Sequence, residues 1–389
     1  MKYDFIICHY AEIALKGGNR KFFEEKLIEN IRTSFILNSC KQIGEIKRIS
    51  GRILIQIKGE IREDKIKQAL KNVFGIAYFS FAVSCKQNIK EMSIKSLEIL
   101  KDKKFKTFKV ETKRGEKDFP LTSQQINEQV GEYIFEKLNS QDLKFRVKLK
   151  NPDVTCFIEV VEKYAFLYSE KIKGLGGLPV GVSGKAISLL SGGIDSPVSS
   201  FYGMRRGVKM IFLHFYTNKR FLGKIRENIK ILNKYQFKSK LYLISFLDIQ
   251  KAIFHKTNPE LGCILCRRFM FRIAQTLAEE EQASVLFTGE NIGQVASQTL
   301  ENMRVIEDAI NIPVLKPLIG MDKKDIIEKA KEIGTFDISV LPEEFYCQKF
   351  LAKHPETKAN LKRVILEEEK IEIQELIEQA IKNKKVEKI

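Results

Sequence analysis

The sequence predicts a multidomain chain, α+β in its first half and doubly wound, parallel α/β in its second. Three observations predict it. Up to about residue 173 the chain reads as strand, helix, hairpin and helix, then as a second mixed unit, the texture of small α+β domains. From residue 186 short, fully apolar strands alternate with helices, as in a parallel sheet covered on both faces. Between them lies GLGGLPVGVSGK (174–185), whose five glycines and one proline hold no regular element.

The elements follow in order. DFIICHY opens as a strand, and residues 19–38 form a helix with Phe22, Phe23, Leu27 and Ile31 at helical spacing. IGEIKRISGRILIQIKG alternates as a β-hairpin, and EDKIKQALKNVF returns to helix. The second unit reads as a helix near 90–101, the strand KTFKVETKR, a helix over 122–138, and two strands within KFRVKLKNPDVTCFIEVVEKYAFLYSE. Beyond the seam, AISLL is a strand, 196–206 a helix, VKMIFLHF a strand, 221–235 a helix and KLYLISF a strand. A helix starting near Cys263 leads to the strand SVLFTGE, and the charged run KRVILEEEKIEIQELIEQAIKNKK is expected as a solvated outer helix.

Apolar content of 44% with 30% charged residues describes a globular chain rather than a disordered one. No window reaches the roughly 18 uninterrupted apolar residues of a membrane span. The start, MKYDFIICHYAEIALKGG, shows no signal-peptide pattern, so a cytoplasmic protein without a membrane partner is expected. Net charge is +18, of which +12 accumulates through Lys185 and +6 beyond it. Such an excess points to a polyanionic partner, nucleic acid first, or else to a lysine-rich composition throughout. Seven cysteines in so long a chain are not a disulfide framework. Cys8, Cys40, Cys85 and Cys156 sit singly in apolar, strand-like surroundings and are expected as small core residues.

The strongest chemical signal is LLSGGIDSPVSS (189–200), set between a buried strand and a helix. Ser191, Gly192 and Gly193 bring backbone N–H groups and a hydroxyl to a helix N-terminus, which favours phosphate. Asp195 is the expected ligand of a Mg²⁺ that neutralises pyrophosphate, and Ser196 adds a donor. The loop is not a Walker A motif; the candidate GLPVGVSGKA has Pro179 and Ala186 where that motif needs glycine and Ser/Thr.

SGGIDS after an apolar strand resembles the signature loop of the PP-loop ATP pyrophosphatases. Further motifs extend the likeness: EIALKGGNR (12–20), VETKRGEKDFPLTS (110–123), NPDV (151–154), GLGGLPVG (174–181), RRFMFRIA (267–274), TGENIGQVASQT (288–299), PLIGMDKKDII (317–327) and the cysteine after LPEEFY. Together they resemble the tRNA 4-thiouridine synthetase family along nearly the whole chain. That resemblance implies an N-terminal ferredoxin-like domain (1–75), a THUMP RNA-binding domain (76–173) and a PP-loop domain (174–389). It implies ATP-dependent sulfur transfer to uridine 8 of tRNA, with THUMP holding the acceptor end and a homodimer as the assembly. An ATP site of Leu189, Leu190, Ser191, Gly192, Gly193, Asp195, Ser196, His214, Phe215, Arg267, Gly289 and Gln298 follows from the matching positions. Lys323 matches a lysine implicated in activity, although DKKD also reads as an exposed helix start; Arg268 is expected to face solvent. Lys113, Arg114 and Lys117 around Phe119 form the best basic and aromatic cluster for RNA.

Cys347 matches the persulfide-accepting cysteine of members that end in a rhodanese domain, a domain this sequence is not expected to carry. Cys263 and Cys266 are a departure from those members, and as i, i+3 residues they share one helix face. Neighbouring arginines and a helix N-terminus favour thiolates there. Four readings stand: a [4Fe–4S] cluster on Cys263, Cys266 and Cys347, as in related rhodanese-less thiolases; zinc; a persulfide on Cys347 resolved by the pair; or small core cysteines. The sulfur donor is expected to be a cysteine desulfurase or free sulfide.

Overall fold

The computed structural model describes residues 3–115, 118–140, 145–342 and 352–389, so Lys117 and Cys347 lie outside the described residues. The chain forms two compact units, Met1–Pro179 and Val180–Ile389.

The first unit is built on one mixed sheet. Strands β1 (Phe5–His9), β2 (Ile43–Ile49), β3 (Arg52–Ile57), β4 (Tyr78–Lys86), β5 (Thr107–Arg114), β6 (Arg146–Val147), β7 (Val154–Val161) and β8 (Tyr164–Tyr168) run in the order β2-β3-β1-β4-β8-β7-β5-β6, and β9 (Ile172–Lys173) adds to β4. Helices α1 (Arg20–Leu37), α2 (Glu63–Lys71), α3 (Ile89–Lys101) and α4 (Ser123–Asn139) complete it. The β2–β3 hairpin turns on Ser50 and Gly51, both at positive φ (28° and 77°), the backbone that matches strand twist in a two-residue turn. Thr122 and Gln125 form a reciprocal cap at the start of α4, with bonds of 3.2 and 2.8 Å. Long β4 pairs with β1 through its first half and β8 through its second, so one sheet runs through both mixed α+β segments.

Cys8, Cys85 and Cys156 are buried as expected, and burial pushes the Cys85 and Cys156 thiols up to about 12 and 11. Cys40 departs from expectation: it is half-buried in the turn after α1 and lines a pocket with Lys41, Arg62 and Lys65. It follows the helix end just after Ser39, whose positive φ (53°) turns the chain, so no strand forms around it.

The second unit is the α/β domain. Strands β10 (Lys185–Leu189), β11 (Lys209–Tyr216), β12 (Lys240–Ser245), β13 (Val285–Phe287) and β14 (Val314–Leu315) are parallel in the order β14-β13-β10-β11-β12, and β15 (Lys385–Lys388) closes the edge antiparallel to β12. The helices are α5 (Asp195–Arg205), α6 (Leu222–Gln236), α7 (Leu247–Lys256), α8 (Gly262–Glu281), α9 (Leu300–Glu307), α10 (Lys323–Ile333), α11 (Phe336–Ser339), α12 (Leu361–Glu368) and α13 (Ile373–Lys382). The chain leaves β10 first to one side, through β11 and β12, and then returns through α8 to its other side at β13. The carboxyl end of β10 is therefore the point of reversal, where open α/β sheets take ligands.

Two expectations are corrected here. The charged terminal stretch is not one solvated helix but α12, α13 and edge strand β15; Val364, Ile371, Ile377 and Ala380 join the core against α8 and β12. Arg268 does not face solvent. It is 2% exposed, and Glu368 holds it through bonds of 2.9 and 3.0 Å while Val305 O accepts a further one. A buried guanidinium needs such a partner, and α12 supplies it a hundred residues on.

Candidate nucleotide and thiol site

The glycine loop curls back onto the start of α5. Ser191 N donates to Ser196 Oγ at 2.8 Å, the two hydroxyls lie 3.0 Å apart, and Gly193 N donates to Ser191 Oγ at 3.3 Å. Ser196 is thus the brace of the loop, and its hydroxyl is committed to Ser191. Deeper in, Ser200 Oγ donates to Ser196 O at 2.8 Å, and Ser199 Oγ to Thr288 O at 2.7 Å. These small residues let α5 lie close against the ends of β10 and β13. Leu189 ends β10 within the core; Leu190 N bonds Leu213 O, and Leu190 O meets His214 Nδ1 at 2.8 Å. Buried His214 therefore fixes the strand-to-loop exit, and Phe215 packs edge-on against Phe246.

Gly289 passes directly over the start of α5. A Cβ there would meet Ser196 N at 2.7 Å and Asp195 C at 2.8 Å, which no backbone can accept. Asp195 Oδ1 lies 2.5 Å from Lys323 Nζ, so the first residue of α10 reaches the first residue of α5. Two residues singled out from separate motifs are here one ion pair. Gln298 braces its own loop: its Oε1 accepts from Asn291 N at 3.4 Å and its carbonyl from Gly293 N at 2.9 Å.

Arg267 is bonded to Glu290 and lies over the Phe271 ring at 4.9 Å. Glu290 is 5% exposed; it also accepts from Thr288 Oγ1 at 3.2 Å and lies 3.5 Å from Lys316 Nζ. Burial alone would raise its carboxyl, but the charges of Arg267 and Lys316 outweigh that and hold it below the ordinary range. Burial pulls Lys316 down against the pull of Glu290. Cys263 and Cys266, half-exposed at the start of α8, line a cavity of about 180 Å³ with Arg267, Met270, Phe254 and Ser297. Two thiols on one cavity suit a soft metal or a sulfur relay. Among the described residues no group of three His, Cys, Asp or Glu side chains converges on a metal position.

In the first unit Lys113 is exposed on β5, while Arg114 turns its Nη1 to Phe119 O and Leu121 O, both at 2.9 Å. Arg114 thus holds the following turn, and Phe119 packs on the core. Among the described residues no helix is long and apolar enough to cross a membrane.

Sequence reasoning missed Glu290, Lys316 and Asn302. Asn302 is fully buried and gives Nδ2 to Ala296 O (2.7 Å) and Glu356 O (2.8 Å), while its Oδ1 takes Ala359 N (2.9 Å). Glu290 stands inside the quoted TGENIGQ motif, but nothing in that motif shows its partners; Lys316 and Asn302 lie in ordinary helix and strand surroundings.

This α/β fold, with SGGIDS at the reversal point, defines the PP-loop class of nucleotide-using domains. Family models match the chain in three stretches: a ThiI ferredoxin-like domain over residues 5–80, a THUMP domain over 86–170, and Thiamine biosynthesis protein (ThiI) over 181–373. The probable tRNA sulfurtransferase of Thermoanaerobacter pseudethanolicus is 41% identical over 379 residues, covering 96% of this chain and 97% of that one. The corresponding protein of Moorella thermoacetica is 38% identical, covering 98% and 96%. Among solved structures, a 4-thiouridine synthetase–RNA complex with bound ATP superposes with a TM-score of 0.88 at 36% identity, covering all of both chains. PH1313 from Pyrococcus horikoshii follows the fold with a TM-score of 0.67 at 27% identity, over 85% of this chain and 99% of that one. The chain belongs to the tRNA sulfurtransferase family, enzymes of tRNA thiolation.

Proposed function

We propose that the protein binds ATP and tRNA, adenylates O4 of uridine 8, and replaces that oxygen with sulfur to give 4-thiouridine. The observation that carries this is the braced glycine loop at the point of sheet reversal, with Asp195, Lys323 and Gly289 packed around the start of α5. In the first step uracil O4 attacks the α-phosphorus, the O4–P bond forms, and the bond to the β-phosphate oxygen breaks to release pyrophosphate. In the second, sulfur adds at C4 and the C4–O bond breaks, with AMP leaving. A carbonyl oxygen is a poor leaving group and AMP a good one, which is why ATP is needed.

Loop N–H groups at the α5 N-terminus would bind the phosphates, and Arg267 would add charge on the α8 side. Asp195 would hold a Mg²⁺, which supplies neutralisation of the pyrophosphate. Lys323, paired with Asp195, orients that carboxylate and faces the same phosphates.

Sulfur would arrive from free sulfide or a cysteine desulfurase at a site of Cys263, Cys266 and Cys347, in a homodimer. Two thiols on one cavity support the site. The later chain also returns to this end of α8, where Glu356 N bonds Glu260 O at 3.0 Å, three residues before Cys263. A [4Fe–4S] cluster on the three thiols would supply a metal-bound place for sulfide.

Anaerobic incubation of the protein with MgATP, sulfide and tRNA, followed by nucleoside analysis, tests the reaction. Thiolated uridine with AMP is expected, and Asp195→Ala should lower it at least about a hundredfold while tRNA binding stays unchanged. Iron and acid-labile sulfide in anaerobically purified protein support the cluster; iron-free protein that thiolates with a cysteine desulfurase's persulfide as donor, and not with free sulfide, would replace it with a persulfide on Cys347. The outer sulfur of that persulfide would bond C4 as AMP leaves, and a thiol of the Cys263–Cys266 pair would then break its S–S bond, leaving a disulfide to Cys347.

A further inference from the structure

Arg267 sits where two features of the second unit meet. It lines the cavity of Cys263 and Cys266, four residues on from Cys263 and so on the same face of α8. Its guanidinium is bonded to Glu290, whose neighbour Gly289 packs on the backbone of Asp195 and Ser196 at the start of α5. Glu290 itself is enclosed: Arg267, Lys316 and Thr288 meet its two oxygens, and Lys316 makes a further ion pair with Glu307. Two cations thus share one buried carboxylate, and among the described residues Lys316 has a second acid, Glu307, while Arg267 is paired with Glu290. Without the carboxylate, Arg267 keeps a long, flexible side chain over the Phe271 ring, and no other acid among the described residues is paired with it.

We infer that Glu290 is a positioning residue of the nucleotide site, acting through Arg267 to hold the guanidinium between the glycine loop and the thiol cavity. The inference rests on the reading of this site as one for a nucleoside triphosphate. Glu290 touches neither phosphate nor base in this role. It presents Arg267 to the phosphates already ordered, so that little rotamer freedom is lost when they bind. Thr288, at the exit of β13, orients the carboxylate in turn.

A double-mutant cycle in the full-length protein tests this, with MgATP affinity by equilibrium dialysis, kcat and KM for thiolation, and melting temperature as readouts. Glu290→Gln should weaken MgATP binding about tenfold or more, and Glu290→Asp, which keeps the charge, should recover most of that. Arg267→Met should cost a similar factor, and the double variant should be no worse than Arg267→Met alone. Multiplying losses in the double variant would overturn the inference. So would unchanged affinity in Glu290→Gln, or a Glu290→Asp as weak as Glu290→Gln with both melting early. The affinity measurement needs no tRNA, so non-additive coupling in a protein that thiolates nothing would sink the functional reading alone. Normal thiolation with additive losses would sink this inference alone, and failure of the wild type to bind MgATP would sink both.

Discussion

Gly289 has no room for even one methyl group. The atoms a Cβ would strike, Ser196 N and Asp195 C, are backbone atoms at the base of the phosphate loop and cannot rotate aside. Gly289→Ala should therefore move the loop or α5, weakening MgATP binding by more than about tenfold while destabilising the domain by roughly 1–3 kcal/mol. Equilibrium binding and chemical denaturation check the two effects; a variant that binds MgATP normally would contradict the close packing. The residues of the loop were legible in the sequence because they are contiguous: strand, glycines, Asp195 and helix follow one another within a dozen positions. Glu290 was not, since nothing local shows that its partners are Arg267 and Lys316, each more than twenty residues away. Arg114 shows the same limit: it stands beside lysines in the sequence, and only the fold shows that its Nη1 donates to Phe119 O and Leu121 O.

Helix α8 carries different business on its two sides. One presents Cys263, Cys266 and Arg267 to the cavity, and the other gives Arg268 and Arg272 to Glu368 of α12. Burial would raise the Glu368 carboxyl, yet hydrogen bonds from Arg272 and Arg268 hold it below its ordinary value. Glu368→Gln takes the anion from Arg272 and leaves buried Arg268 with Asp308 alone among the described acids, at 3.4 Å, and should cost about 3–5 kcal/mol, read from denaturant midpoints. The acidic run in α12 hid this in the sequence: EEEK reads as a solvated face, while Val364 and Glu368, four apart, both turn inward. In the first unit Glu159 plays a similar part between strands. It lies on β7 at 1% exposure and meets Arg52 of β3, His9 of β1 at 2.9 Å, and the Tyr168 hydroxyl of β8 at 2.5 Å. Burial opposes its charge, but His9 and Arg52 prevail and bring the carboxyl down to about 2. Because the folded value is lowered, this stability is fully present above about pH 4.5 and is lost as pH falls toward 2. The contribution is roughly 3 kcal/mol. Acid unfolding of Glu159→Gln should accordingly be less steep over that window than that of the wild type; an unchanged slope would contradict the pairing.

At the scale of the whole chain, the division into an α+β first unit and a parallel α/β second unit was readable from periodicity. Apolar β10, β11 and β12 announce a sheet buried on both faces, and the glycine-rich seam at 174–185 contains the division between the units at Pro179. The antiparallel edge strand β15 was not readable, because KVEK has neither apolar run nor clear alternation; its pairing to β12 depends on an edge that only the folded sheet provides. Net charge of +18, concentrated toward the first half, suits a chain whose substrate is a polyanion. The central claim, that ATP is spent on O4 of one uridine, is tested most directly by AMP release with two tRNAs differing only at position 8. With uridine there, AMP and thiolated nucleoside should form in equal amounts; with cytidine, which has no O4, neither should form although the tRNA still binds. Equal AMP release from both tRNAs, or from ATP alone, would contradict it.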